Sequence, residues 1–387
     1  MTLSGVQGAQ TISSASDPAP MRAAAEPVAR EFREADAAKW TEFVTAHLAA
    51  NLYHTLFWRD LVIEVFGHRP IYLLAERGGK ICGALPMFFI KAPLLGSKLI
   101  SMPYDIGSGG ALTVDGGAND VGAVERALVE SATSLARELK VNHLELRYGS
   151  ERPALADLGF QRGEPVLISE MDLDDEAAVW ARIKEDHRKA IGKAERRGVT
   201  VREAESLADY RAFYEIYLRV FRDFGTPPYG ADYFPALWRR LHPSGKAGEA
   251  GAARLLLAEA GGRCVGGLLL FCWGRNLVSK FAACLPEAAP LRAYVALYWR
   301  AIQLGLRLGY RRLSWGTSSR GQKGLIEFKE RWGARSRPAV IYSLPVKRGV
   351  PAIEKYYDTE GLTRRLWRAL PLDATRAGGG IINRWFC

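Results

Sequence analysis

Cysteine is scarce. The 387 residues hold five, at positions 82, 264, 272, 284 and 387, with no CxxC pair and none near a histidine at metal-ligand spacing. That sets aside a disulfide scaffold and a thiolate zinc site, and points to reduced thiols in a cytosol. Long apolar runs are missing too. The longest stretch, "CVGGLLLFCW" at 264–273, is ten residues, half of the roughly 20 that a membrane span needs. The opening "MTLSGVQGAQTISSASDPAP" has neither the basic n-region nor the apolar h-region of a secretory signal. The six histidines do not cluster, and there is no HExxH, no Walker loop and no nucleophile elbow. A cytoplasmic protein with no metal centre is expected.

Apolar residues make up 48% of the chain and aromatics 10%, enough for sizeable cores and too much for a chain disordered throughout. The length fits two domains better than one. Net charge is +11, which favours an anionic partner such as a nucleic acid, a phosphorylated substrate, CoA or an anionic lipid; free use of arginine explains it equally well. Residues 1–35, rich in Ala, Ser, Pro, Gly and Gln, read as a disordered leader.

The middle of the chain hides a duplication. "LLAERGGKICGALPMFF" (73–89) and "LLAEAGGRCVGGLLLFC" (256–272) agree at nine of 17 positions. Each is a hairpin signal: an apolar run, a Gly-Gly turn and a second apolar run. The same order of elements follows both copies. A strand comes first ("SKLISMP"; "LVSKFAACLP"), then a helix ("AVERALVESATSLAREL"; "AYVALYWRAIQLGLRL"). A strand ("HLELRYG"; "RRLSWGTS"), a short helix ("DLGF"; "LIEFKERWGA") and a last strand ("PVLISEMDL"; "AVIYSLP") complete each copy. The reading is an α/β (α+β) protein built as a tandem of two similar domains with mixed, mainly antiparallel sheets. The expected boundaries are 36–175 and 176–348, followed by a basic amphipathic segment at 349–387.

This order resembles the acyltransferase fold of the GNAT superfamily, in which a splayed pair of central strands receives an acyl donor on one side and an amine on the other. The tandem is similar to the Fem-type (FemAB-related) aminoacyl/acyltransferases. It looks closest to the FemAB-like proteins associated with exopolysaccharide and exosortase (PEP-CTERM) systems. The stretches that carry the likeness include "FGHRPIYLLAERGGKICGALPM", "LISMPYDIGSGGAL", "WARIKEDHRKAIGKAERRGVTVR", "FYEIYLRVFRDFGTPPYGADYF", "GQKGLIEFKERWGA" and "LWRALPLDATRAGGGIINR". Two departures stand out. The resemblance implies Asn-x-x-Leu-x-Trp in the long helix of the second half, where Tyr294 holds the Asn place before Leu297 and Trp299. It implies Asp-Phe-Gly-Arg-Ser on the next strand, where Ser314, Trp315, Gly316, Thr317 and Ser318 stand. An acid and an arginine are missing; Arg320 is one residue that can restore the charge. The CoA-cradling pattern Gln/Arg-x-x-Gly-x-Gly/Ala has no match in "PEAAPLR" or "DIGSGG", which weighs against ordinary acetyl-CoA use.

Four places can carry chemistry. Residues 182–202 hold eight basic and three acidic side chains, a local net of +5. On a helix, Lys184, Arg188, Lys189, Lys193 and Arg196 form neighbouring basic faces able to grip phosphates, or simply a solvated surface. In "MPYDIGSGGA", Tyr104 and Asp105 can orient a nucleophile or take its proton, and Gly107, Gly109 and Gly110 let a backbone approach a ligand; a strand-ending turn is the alternative. The loop "SSRGQKG" leads into a helix whose free amides, with Arg320 and Lys323, attract anions. Within that helix Leu325, Phe328 and Trp332 form an apolar stripe, and Lys329 is the charged residue nearest to it. By itself Lys329 reads as a boundary lysine; the resemblance implies that Phe328 packs the site and Lys329 stabilises a developing oxyanion. Trp315, Thr317, Ser318 and Tyr229, the last in the turn-rich "RDFGTPPYG", complete the expected substrate contacts. His68 in "FGHRP" reads as structural. At the C-terminus Leu362, Leu366, Trp367 and Leu370 flank Arg364, Arg365 and Arg368, a face that docks on the core or meets an anionic membrane.

The expected function is an N-acyltransferase. It moves an acyl or aminoacyl group from aminoacyl-tRNA or acyl-CoA, a co-substrate rather than a bound cofactor, to an amine of a cell-envelope or exopolysaccharide precursor. Expected partners are a phosphorylated or nucleotide-linked substrate and tRNA, with weak contact to the inner membrane surface and no DNA. The alternatives are a non-catalytic scaffold of an exopolysaccharide or exosortase system, and RNA binding through the basic segment alone.

Overall fold

In the computed structural model the described residues are 25–93, 96–105, 110–114, 122–244, 252–347 and 362–385. The first half runs β1 (Val28–Glu31), α1 (Ala37–Ala46), α2 (Leu56–Phe66), β2 (Arg69–Arg77), β3 (Lys80–Ala92), β4 (Gly96–Ser101), β5 (Leu112–Thr113), α3 (Ala123–Glu138), β6 (His143–Tyr148), β7 (Gln161–Arg162) and β8 (Val166–Asp172). Then come α4 (Glu176–Arg182) and α5 (Glu185–Arg196). The second half is β9 (Thr200–Glu203), α6 (Leu207–Phe224), α7 (Tyr233–Leu241), β10 (Ala253–Ala260), β11 (Arg263–Trp273), β12 (Asn276–Cys284), α8 (Ala293–Arg307), β13 (Arg312–Ser318), α9 (Lys323–Glu330) and β14 (Arg335–Pro345). Helices α10 (Leu362–Ala369) and α11 (Leu372–Asn383) close the chain.

The duplication is geometric as well as verbal. Both hairpins turn on a Gly-Gly pair in the left-handed region, φ 58° and 79° at Gly78 and Gly79, 57° and 74° at Gly261 and Gly262. Two positive φ values in succession suit a hairpin whose strands twist right-handed, and only glycine adopts them without strain. Each hairpin also shifts register at the same place, after Ala75 and after Ala258.

The repeat extends further back than the hairpins. Strand β1, "VARE", pairs with β2 as β9, "TVRE", pairs with β10. Arg30 bridges Asp36 and Glu76, each at 2.8 Å, while Arg202 bridges Asp209 and Glu259, also at 2.8 Å. This corrects the leader boundary. Residues 28–36 belong to the first half, anchored by strand pairing and an arginine shared between two carboxylates, while residues 1–24 lie outside the described part.

One sheet of 14 strands runs through both halves in the order β1-β2-β3-β4-β6-β14-β8-β13-β12-β11-β10-β9, with β5 on β3 and β7 on β14. The closing strands are exchanged. Strand β14 pairs with β6 of the first half through 340–345, and β8 pairs with β13 of the second half. They pair with each other through 335–339 and 166–170. The ladder therefore crosses from one half to the other without an edge.

The core is shared too. Trp58 and Tyr53 of the first half pack edge-on against Phe271 of the second, at 5.7 and 6.1 Å, in a cluster that also takes in α6 and α7. A second cluster lies under α8 and a third under α3. The C-terminal helices pack on α6: Trp367 and Thr375 are buried, and Arg376 pairs with Glu215 at 2.7 Å. The expected apolar face is split, since Leu366 is 59% exposed. No helix among the described residues is long and apolar enough to cross a membrane.

Candidate functional site

Two adjacent strand pairs are parallel, β4 with β6 and β12 with β13. Each stays paired for three residues and then parts, the first after Ile100 and Glu145, the second after Val278 and Ser314. The two gaps have different contents.

The gap in the first half is filled. Glu145 and Arg147 form an ion pair at 2.7 Å with side chains 0% and 1% exposed. Arg147 also donates to the carbonyls of Asp105 at 2.8 Å and Met102 at 3.4 Å. Met102 and Tyr104 take positive φ, 49° and 70°, costly for side-chain-bearing residues. A Cβ at Gly110 would lie 2.4 Å from the Tyr148 ring. Tyr104 is drawn into the core: its hydroxyl bonds His68 Nε2 at 2.7 Å and its ring stacks on Phe66 at 4.0 Å. Asp105 stays half-buried at the rim. Gly107 and Gly109 lie outside the described residues.

The gap in the second half is lined differently on its two sides. Strand β12 bulges at Lys280, because Leu269 faces Phe281 and Leu270 faces Ser279. An extra residue of this kind bends a strand away from its neighbour. On the α8 side, Tyr298 Oη meets Ser279 Oγ at 3.0 Å, and Tyr294 Oη accepts the Cys284 N–H at 3.1 Å. Tyr298 stands 5.7 Å from both Trp315 and Phe328, and Trp332 and His187 complete this aromatic wall.

Lys329 sits behind that wall and is 3% exposed. Its ammonium donates to Ser318 Oγ at 2.8 Å and to the carbonyls of Gly316 at 3.1 Å and Thr317 at 3.3 Å. Burial pushes its pKa down to about 8. It is therefore not a boundary lysine. It ties α9 to the irregular stretch of β13, where Gly316 has φ 66°. The buried face of α9 is centred on Lys329 and the following Trp332, since Leu325 of the expected stripe is 41% exposed.

Lys280 escaped sequence reading. It lies on the opposite face of β12, donating to the carbonyl of Tyr104 and, at 3.4 Å, to Tyr53 Oη. The rings of Tyr53, Phe281 and Phe271 stand 5.4, 5.6 and 5.9 Å from its ammonium. Burial pushes its pKa down to about 8. It joins the bulge of the second half to the strained loop of the first, and in the sequence only the adjacent Phe281 hints at it.

The remaining expected residues divide. Tyr229 is a core residue, 4.7 Å from Tyr233 and 5.7 Å from Tyr104, rather than a wall of an open site. Arg320 and Lys323 are exposed around the start of α9. On α5, Lys189 pairs with Glu185 at 2.7 Å and Arg188 reaches the Trp180 carbonyl at 3.3 Å. Lys184 occupies the N-cap position of the helix, without a side-chain capping bond. Among the described residues, Lys184, Arg188, Lys193 and Arg196 have no carboxylate within ion-pair distance.

The charge missing from β13 is found on neighbouring strands instead of at Arg320. Ser314 is paired with Glu170 of β8, and Thr317 with Ile168, which is itself paired with Arg337 of β14. Directly paired residues share a face, so an acid and an arginine face the side where 314 and 317 point. Arg337 grips Glu170 through two contacts, at 2.9 and 3.2 Å. Both line a cavity of about 410 Å³ between the halves, with Arg152, Arg312, His54 and Ser314 among its walls.

His54 is fully buried, with Nε2 3.2 Å from the Gly110 carbonyl and Nδ1 3.1 Å from Asn51 Oδ1. Burial pushes its pKa down to about 4, as it does for His68. The unfolded chain, with an ordinary histidine value of about 6.5, takes up the proton first as pH falls. Stability from this source is therefore intact above pH 6.5 and is lost as pH drops towards 4. For His54 the loss reaches about 3 kcal/mol. Urea midpoints at pH 7 and 4.5 for the wild type and His54→Gln check this. The gap between the proteins should shrink at the lower pH, and a gap of the same size at both would refute it.

The comparisons agree with this geometry. Residues 181–330 match the family described as acetyltransferase (GNAT) domain, a stretch that holds the parting of β12 and β13. The chain resembles the crystal structure of FemX, with a TM-score of 0.62 and 13% identity over 86% of this chain and 99% of that one. It also resembles a tandem GNAT protein from the clavulanic acid biosynthesis pathway, at 0.51 and 12% over 84% and 100%. A third likeness is to the C-terminal domain of a protein assigned as a lysylphosphatidylglycerol synthetase of Agrobacterium fabrum, at 0.51 and 12% over 80% and 91%. Identities this low show the fold: two GNAT-like units in tandem. No curated protein matches the sequence.

Proposed function

We propose that this protein is an N-acyltransferase. It transfers an acyl or aminoacyl group from acyl-CoA or aminoacyl-tRNA to an amine of a cell-envelope or exopolysaccharide precursor. The observation that carries the reading is the parting of β12 and β13 after Val278 and Ser314, inside the stretch that matches the acetyltransferase domain. Two parallel strands that separate leave backbone groups free to hold an ester or thioester between them, with access from both faces of the sheet.

The reaction is a direct displacement. The amine nitrogen bonds to the acyl carbon, the ester or thioester bond breaks, and the leaving oxygen or sulfur ends with a proton that the amine has given up. No covalent enzyme intermediate is required. In this reading Lys329 supplies positive charge beside the developing oxyanion. Its ammonium is held by Gly316, Thr317 and Ser318, so it acts as a fixed charge, and direct contact with an oxyanion requires exchange of one of those bonds. The uncompensated cations of α5 serve the phosphates of the donor or acceptor. The envelope or exopolysaccharide setting is supported by the resemblance of the chain and by the FemX likeness.

The test is transfer by the purified full chain, offered mixed aminoacyl-tRNA in one arm and acetyl-CoA in the other, with a pool of envelope-precursor amines as acceptor. Label should appear in an amide from at least one donor. Silence in both arms, from protein that melts cooperatively, would favour the scaffold reading. Salt-sensitive tRNA binding without turnover would favour the RNA-binding one.

A further inference from the structure

The cavity between the halves is built from both of them. Its walls include Arg152, which follows β6, and Arg312, Arg337 and Glu170 from β13, β14 and β8. Its floor reaches Val278 and Ser314, the last paired residues before β12 and β13 part. The opposite face of β13 carries Leu313 and Trp315, packed with the core under α8. The cavity thus meets the strand gap from the side away from Lys329.

Its charges are of both signs and are unevenly committed. Glu170 is fixed by Arg337, which also donates to the Gly149 carbonyl. Arg312 is half exposed, with Asp172 no closer than 3.7 Å. Arg152 holds Ser150 Oγ at 3.1 Å and lies 3.5 Å from Glu125. The buried His54 is neutral. An anion alone would meet the Glu170 carboxylate, and a cation alone would meet three guanidinium groups. A ligand carrying both signs complements the walls, with its cationic end at Glu170 beside Ser314 and its anionic end at Arg312, which is half exposed. The volume, about 410 Å³, suits a small molecule.

We propose that this cavity binds a small molecule bearing a primary amine close to an anionic group, a carboxylate or a phosphate. Glu170 receives the ammonium, and Arg312 receives the anion. The inference rests on the acyl-transfer reading only for the fate of the amine, which it places at the strand gap as the acceptor. Binding itself stands apart from that reading.

Calorimetric titration of the full chain tests it with four probes: phosphoethanolamine, β-alanine, ethanolamine and inorganic phosphate. One or both amino-anions should bind at least about ten-fold tighter than ethanolamine or phosphate. The order of phosphoethanolamine and β-alanine tells phosphate from carboxylate. Glu170→Gln and Arg312→Ala should each weaken the preferred probe about ten-fold, and Arg137→Ala, on the exposed side of α3, should not. Arg312 is half exposed, so that variant keeps the fold, and a thermal melt verifies it. The proposal fails if inorganic phosphate binds as tightly as the amino-anions, if both cavity variants match the wild type, or if no probe binds. Equal acyl transfer to ethanolamine and to the preferred amino-anion would remove the cavity's role and leave acyl transfer standing. Retained binding with no transfer from any donor would do the reverse.

Discussion

Replacing Glu145 by alanine is expected to destabilise the protein by about 3–5 kcal/mol, the usual cost of stranding one member of a buried ion pair. Glu145 and Arg147 have side chains 0% and 1% exposed, so no water reaches the charge left behind. Arg147 also supports the carbonyls of Met102 and Asp105, so the strained loop loosens along with the strand gap. Against a total stability of about 5–15 kcal/mol, that loss removes a large share. Joint replacement, Glu145→Leu with Arg147→Met, removes both charges and is expected to cost less than Glu145→Ala alone, because no ion remains unpaired. Urea denaturation of the wild type and both variants measures the difference. A loss under about 1 kcal/mol for Glu145→Ala would show that the arginine finds another partner. The first gap is closed by this ion pair and the Met102–Asp105 stretch, and in the proposed reading acyl transfer falls to the second.

Lys329→Met is expected to lower kcat by about 10²–10³, the range seen when a preorganised electrostatic donor is lost. Methionine keeps the length and apolar stem of the side chain, so packing under β13 is retained while the three contacts to Gly316, Thr317 and Ser318 disappear. Arginine should not rescue it, since a planar guanidinium cannot direct donors as a compact ammonium does. The pH profile separates electrostatics from mere structure. Burial lowers the pKa of Lys329 to about 8, so the ammonium is the main form below that pH and is lost above it. Wild-type kcat should therefore fall as pH rises through 8, and the residual activity of Lys329→Met should lack that limb. An identical limb in both proteins would take Lys329 out of the mechanism, and unchanged kcat would do so outright.

Some of this was legible in the residues because it rests on short-range physics. A Gly-Gly pair between two apolar runs dictates a hairpin turn, and both hairpins form with the same register shift. The helix and strand order after each hairpin followed from apolar spacing over neighbouring residues. The strand "VARE" was hidden by its surroundings, since four residues beside a Pro- and Ala-rich stretch carry no periodicity of their own. What anchors it is an arginine reaching carboxylates 6 and 46 positions away. Lys329 could be singled out from its place on a helix, but not its three oxygen partners, which belong to another strand.

By itself the sequence determined that the protein is a duplicated α/β chain with two hairpin-led halves, a basic connecting helix and no membrane-crossing helix among the described residues. Each of these follows from propensities and patterns that act over a few residues. Tertiary structure alone decided the exchange of β8 and β14, the cage around Lys280, the closed first gap, and the meeting of Glu170 and Arg337 across β8 and β14. These depend on which strand lies beside which, and that is settled by burial and hydrogen bonding between segments 42 to 176 residues apart in the chain.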